Sequence, residues 1–284
     1  MSRPRSVEHP WLPRASCDAG CMAVAAGQAS TALVVALRIV LRVTGALLLT
    51  PALPLLAVPL PGRSHLQRGY CRLVLRCFGA RITVSGGPIR NLRGLLVVSG
   101  HVSWIDVFAI GAVLPSSFVA RADLLSWPAV GIVARILKVI PIERANLRRL
   151  PAVVDAVAAR LGAGHTVVAF PEGTTWCGLA AGRFYPAMFQ AAIDAGRPVQ
   201  PLRLSYHHRD GALSTVPAFI GDDTLLRSMR RLLAARRTDA RVHVESLQLP
   251  GTDRRELARR CQAAVRVTAT TPWAHQQRRQ VLAG

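Results

Sequence analysis

Lysine is nearly missing from this chain: Lys138 is the only one in 284 residues. Carboxylates are also scarce, 15 against 36 basic side chains, which leaves a formal charge of +21. None of the six cysteines (Cys17, Cys21, Cys71, Cys77, Cys177 and Cys261) forms a C-x-x-C pair, and a chain of this size does not need disulfide staples. Reduced thiols in a cytosol-facing protein are therefore expected, with no zinc site. Helix-turn-helix, zinc-finger and aromatic RNA-binding signatures are missing too, which argues against specific nucleic-acid binding. No internal repeat is present. No convincing A-x-A site follows the first apolar run, so a cleaved signal peptide is not expected. The positive charge suits an anionic membrane surface or an acidic carrier protein, although an alanine- and arginine-rich composition explains part of it.

Apolar residues, by contrast, are abundant, at 51%. Residues 1–30, with Pro4, Pro10 and Pro13, read as a flexible tail. Residues 31–76 read as a hydrophobic and basic membrane-associating helical region. It contains 20 uncharged residues between Arg42 and Arg63, long enough to span a bilayer but interrupted by Pro51, Pro54 and Pro59. Arg63, Arg68, Arg72 and Arg76 recur at helical spacing and suit lipid head groups or a solvated face.

From residue 77 to 284, short apolar runs alternate with segments of helical period. This predicts an α/β domain with a mostly parallel central sheet flanked by helices. In such sheets, sites gather beyond the carboxyl ends of strands. Leu95-Leu96-Val97-Val98 reads as a buried strand and is followed at once by Gly100-His101-Val102-Ser103-Trp104-Ile105-Asp106. A five-residue separation places His101 in the turn and Asp106 in the first turn of the next helix, pointing back at it. Ser103 and Asp106 fit a capping box with Ser103 as N-cap. A neutral imidazole oriented by a carboxylate can take a proton from a hydroxyl as that hydroxyl attacks an acyl carbon. Two further strand ends carry polar groups: Ile140-Pro141-Ile142 runs into Glu143-Arg144, and Val167-Val168-Ala169-Phe170 into Pro171-Glu172-Gly173-Thr174.

These segments, followed by Pro198-Val199-Gln200-Pro201, resemble the four ordered blocks of the glycerolipid acyltransferases, and most closely the bacterial 1-acyl-glycerol-3-phosphate acyltransferase, or PlsC-like, type. The resemblance spans about residues 70–220. It implies transfer of a fatty acyl group from acyl-CoA or acyl carrier protein to a lysolipid hydroxyl, at the cytoplasmic face of the cell membrane, with no metal and no bound cofactor. His101 would be the general base and Asp106 its orienter. Arg144, with Glu143, would hold the acceptor's anionic head group; Glu172, Gly173 and Thr174 would shape the acceptor pocket; Pro201 would belong to the acyl-donor site. Three positions depart from the family pattern: Gly100 stands where asparagine is usual, Glu143 where aspartate is usual, and Thr175 where an arginine commonly follows Gly-Thr. Lysophosphatidate is the first acceptor expected. The missing arginine makes lyso-ornithine lipid, which has an amino-acid head group, the alternative.

Overall fold

The computed structural model describes residues 12–18, 20–23, 31–58, 61–87, 92–126, 128–144 and 146–266. Its helices are α1 (Gly20–Ala23), α2 (Ala32–Leu49), α3 (Arg63–Cys77), α4 (Asp106–Gly111), α5 (Pro128–Ile136), α6 (Leu150–Gly162), α7 (Ala187–Asp194), α8 (Leu225–Ala234) and α9 (Arg254–Arg266). Its strands are β1 (Ala80–Gly86), β2 (Leu96–Ser99), β3 (Ser117–Arg121), β4 (Ile140–Ile142), β5 (Val167–Ala169), β6 (Val199–His207) and β7 (Thr238–Val244). The strands form one sheet in the order β1-β7-β6-β2-β5-β3-β4. Every neighbouring pair is parallel except β6 and β7.

β2 lies centrally, between β5 and β6. Its residues are buried on both faces, which is why it reads as a continuous apolar run without alternation. Leu96 and Val98 pack with Val157, Leu161 and Phe189 from α6 and α7, while Leu95 and Val97 face Ile110, Val113 and Leu114 on the other side. The period of two assigns alternate residues to opposite layers. Because β7 runs antiparallel to β6, β7 and its partner β1 point away from the edge where the other five strands end. Gly86-Gly87 closes β1 without returning the chain to β2. Gly86 has φ +93°, and a side chain there would collide with the Val244 carbonyl.

Two features of the N-terminal region differ from the sequence expectation. The expected tail contains a packed stretch at residues 12–18: Cys17 is buried and Ala15 packs in the same cluster. Residues 1–11, 19 and 24–30 of that tail lie outside the described residues, as does Pro59. Arg38 and Arg42 do not merely interrupt an apolar run. Arg38 donates to the Ala234 carbonyl at 2.7 Å, and Arg42 to the carbonyls of Leu233 at 2.8 Å and of Ala235 and Arg236 at 2.7 Å. These are the unpaired carbonyls at the negative end of α8, so the two guanidiniums both cap that helix and dock α2 on the α/β body. The remaining surface of α2 is apolar, and none of its residues is buried. Ala32–Leu56 is the one helix, among the described residues, long and apolar enough to cross a membrane.

Candidate active site

The first block sits where β2 runs out. The chain turns through Gly100–Ile105 and enters α4 at Asp106, whose carboxylate is fully buried. Oδ2 accepts from His101 Nδ1 at 2.8 Å, from the Val102 amide at 2.7 Å and from the Ser103 amide at 2.9 Å. Oδ1 accepts from the Tyr206 hydroxyl at 2.6 Å. A carboxylate of this kind only accepts, so the proton of the neutral imidazole is assigned to Nδ1. The lone pair of Nε2 is then available, and no described residue bonds it. The His101 side chain is 14% exposed. Its ring stacks on Phe170, with centroids 4.0 Å apart and planes 15° from parallel.

The capping box forms only by half. Asp106 reaches back to the Ser103 amide, but the helix begins at Asp106 itself, and the buried Ser103 hydroxyl makes no hydrogen bond. The donor the serine hydroxyl was expected to bind, the Asp106 amide, donates instead to the Ser103 carbonyl at 3.1 Å.

The third block braces the same turn. Glu172 is buried; Oε2 accepts from the His101 amide at 2.8 Å and Oε1 from the Gly182 amide at 2.9 Å. The Trp176 amide donates to the His101 carbonyl at 2.8 Å. Both backbone polar groups of His101 are therefore held by the loop that follows β5. A Cβ at Gly100 would meet Glu172 Oε2 at 3.6 Å, an ordinary contact, so the departure from asparagine is not forced by space. Gly173 has φ +70°, and a Cβ there would lie 2.6 Å from Cγ of Pro13, so glycine is required both by its conformation and by the N-terminal stretch crossing over it. Thr174 is half-buried beside it. The Thr175 hydroxyl donates to the Phe219 carbonyl, which turns it toward the protein wall.

Burial pushes the Glu172 carboxyl up to about 7, against the pull of the His101 and Gly182 amides and of Arg266. The folded protein thus holds this proton more tightly than the unfolded chain does. Stability from this group is full below about pH 4.5, falls as pH rises to about 7, and is constant above; the difference is worth about 3 kcal/mol. Denaturation followed across that window should show the decline in the wild type and a flatter profile in Glu172→Gln; equal slopes would contradict it.

The second block reaches the same sheet edge two strands beyond β5, because the order there is β2-β5-β3-β4. Three strand spacings put this position roughly 14 Å from the end of β2. Arg144 is half-buried and makes no hydrogen bond or ion pair among the described residues. Burial pushes its guanidinium down to about 10, with neighbouring Arg121 acting in the same direction and Asp123 against it. Arg121 is itself engaged by Asp123, at 2.9 and 2.6 Å. Glu143 is exposed and pairs with Arg149 at 2.5 Å, outside the cluster around His101. Pro201 is buried within β6, level with Val98 of β2. It has no amide hydrogen, and its carbonyl accepts from the Glu245 amide at 3.2 Å where the antiparallel ladder with β7 begins. Thus Glu172 and Asp106 converge on His101, Arg144 shares their edge, and Glu143 turns outward.

Tyr206 and Phe170 were not anticipated. Phe170 directly precedes the Pro-Glu-Gly turn and could have been suspected from that position. Tyr206 stands 100 residues from Asp106 in sequence, and only the pairing of β6 with β2 brings them together. His207 and Arg183 serve local structure: His207 bonds the Gly211 carbonyl and Arg183 lies over the Tyr185 ring.

A mostly parallel α/β sheet that offers a carboxylate-oriented imidazole at its edge is a site for acid–base chemistry, and comparison with known proteins shows which class it belongs to. A family model described as Acyltransferase matches residues 81–205. The chain is 35% identical over 209 residues to the lyso-ornithine lipid O-acyltransferase of Pseudomonas aeruginosa, covering 73% of this chain and 79% of that one. It is 36% identical over 171 residues to the 1-acyl-sn-glycerol-3-phosphate acyltransferase of Neisseria meningitidis serogroup B, covering 60% and 67%. The crystal structure of PlsC, the 1-acyl-sn-glycerophosphate acyltransferase of Thermotoga maritima, shares the fold with a TM-score of 0.53 at 21% identity, covering 82% of this chain and 93% of that one. The chain belongs to the PlsC-like acyltransferase family, and it is an enzyme of that kind.

Proposed function

We propose that the protein moves a fatty acyl group from a thioester, acyl-CoA or acyl carrier protein, to the free hydroxyl of a lysolipid. The observation that carries this reading is the 2.8 Å bond from His101 Nδ1 to a fully buried Asp106, which leaves Nε2 basic at the end of β2. In the reaction, the acceptor hydroxyl attacks the thioester carbonyl while Nε2 takes its proton. Asp106 stabilises the imidazolium. The tetrahedral adduct collapses, the carbon–sulfur bond breaks, and the departing thiolate receives the proton from Nε2. No acyl-enzyme is required. Arg144 holds the acceptor's anionic head group, to which a planar guanidinium can donate two parallel hydrogen bonds.

For the acceptor we favour lyso-ornithine lipid. Where a second phosphate-binding cation would be expected, this chain has Thr175, and its hydroxyl is already bonded to the Phe219 carbonyl. One guanidinium suffices for the carboxylate of an amino-acid head group. Lysophosphatidate is the second reading, supported by the 67% of the Neisseria relative that the chain covers. The apolar outer surface of α2 and the exposed Arg72 and Arg76 of α3 suit an anionic bilayer, with the soluble thioester donors approaching from the cytoplasmic side.

Lysophosphatidate and lyso-ornithine lipid should be assayed side by side with both donors. Ornithine-lipid product at the higher rate is expected; phosphatidate formed at a comparable or better rate would overturn this choice of acceptor. Arg144→Ala should raise the acceptor KM by about 10–100-fold with kcat changed little, as expected for one lost charge-assisted contact. An unchanged KM would remove Arg144 from the acceptor site.

A further inference from the structure

Three cysteines that play no part in the acyl-transfer site meet in space. The sulfurs of Cys17, Cys21 and Cys177 all lie within 4.8 Å of one another. Cys17 and Cys177 are buried, and Cys21 is partly exposed. Cys17 and Cys21 flank a turn in the N-terminal stretch, in which the Cys21 amide donates to the Asp18 carbonyl at 3.2 Å and the Gly20 amide to Asp18 Oδ1 at 2.9 Å. The third follows Trp176 in the loop that holds His101.

A backbone donor also reaches into the cluster. The Cys177 amide points at the Cys17 sulfur at 3.4 Å. Directly after Cys177 the loop passes through Gly178 at φ +89°. Burial pushes the Cys17 thiol up to about 11, as it pushes Cys71 and Cys261 up to about 12; what sets Cys17, Cys21 and Cys177 apart is that three sulfurs meet.

We infer that Cys17, Cys21 and Cys177 form a tri-thiolate site for one zinc ion, which fastens the N-terminal stretch across the loop behind His101. With zinc–sulfur bonds of about 2.3 Å, thiolates around a tetrahedral ion stand roughly 3.8 Å apart, within the observed separation. A disulfide would use two of the three sulfurs, whereas a soft d10 cation uses all of them. Solvent reaches the partly exposed Cys21 side and completes the four-coordinate shell. Binding replaces three S–H bonds with three zinc–sulfur bonds and releases three protons to the buffer, with no change of oxidation state. The spacing Cys17-x-x-x-Cys21 is not a C-x-x-C pair, and the third ligand is 156 residues away from Cys21, so the sequence reading expected no such site.

The test uses the full-length protein in detergent micelles, under a non-thiol reductant, titrated with Zn²⁺ and separately with Cd²⁺. One equivalent of either ion per chain should bind. Cd²⁺ should produce a thiolate charge-transfer band, and Zn²⁺ should slow iodoacetamide labelling of Cys17, Cys21 and Cys177 together by at least tenfold while leaving Cys77 unaffected. Cys17→Ser, Cys21→Ser and Cys177→Ser should each weaken binding at least tenfold, and Cys77→Ser should not. Labelling of the three cysteines that is unchanged at saturating Zn²⁺ overturns the inference, and this measurement on the wild type stands even if a serine variant misfolds. A Cys17–Cys177 disulfide that forms in the presence of Zn²⁺ without the reductant overturns it as well.

Discussion

His101→Ala should fold as the wild type does and lose acyl transfer by about 10²–10⁴-fold, the usual contribution of a positioned general base. The side chain is partly exposed, and its only side-chain hydrogen bond among the described residues is to Asp106. Its removal therefore leaves few buried groups unsatisfied, while the backbone bonds of residue 101 to Glu172 and Trp176 persist. Thermal denaturation and initial rates should be measured on the same preparation. A variant that retains wild-type turnover would refute base catalysis by this residue, and one that fails to fold would show that stacking on Phe170 matters more for structure than the exposure suggests.

Asp106 should separate the two roles of its carboxylate. Asp106→Ala strands the Val102 and Ser103 amides and the Tyr206 hydroxyl in a buried region, at a cost of about 3–5 kcal/mol of stability together with loss of activity. Asp106→Asn should be far better tolerated. Its carbonyl can still accept at the Oδ2 position, and the Tyr206 hydroxyl can rotate to accept from the amide nitrogen. The negative charge that stabilises the imidazolium is gone, however, so turnover should fall by about 10²–10⁴-fold with a much smaller change in stability. Equal stability losses in the two variants would mean that charge, rather than hydrogen-bond acceptance, holds the turn. Tyr206 contributes through this same carboxylate as a positioning residue.

The positions of His101, Asp106 and Glu172 were legible because each follows directly on an apolar strand. Strand ends are a local property, set by where β-branched and aliphatic runs give way to glycine, proline and polar residues. The α/β class was legible for the same reason. What the sequence could not show is the contact Glu172 makes: the fold turns its carboxylate onto the amides of His101 and Gly182. Arg38 and Arg42 looked like interruptions in an apolar segment, and only the docking of α2 on the end of α8 makes them caps.

By itself, the sequence determined the order of strands and helices, the apolar surface of the N-terminal helix and the five-residue step from imidazole to carboxylate, since all of these depend on neighbours along the chain. The tertiary structure decided the rest: that Tyr206 completes the hydrogen bonding of Asp106, that Glu143 turns away while Arg144 at the sheet edge has no partner among the described residues, and that Cys17 and Cys21 meet Cys177. These are contacts across sheet order and between distant segments, and no periodicity or spacing encodes which strand will lie beside which.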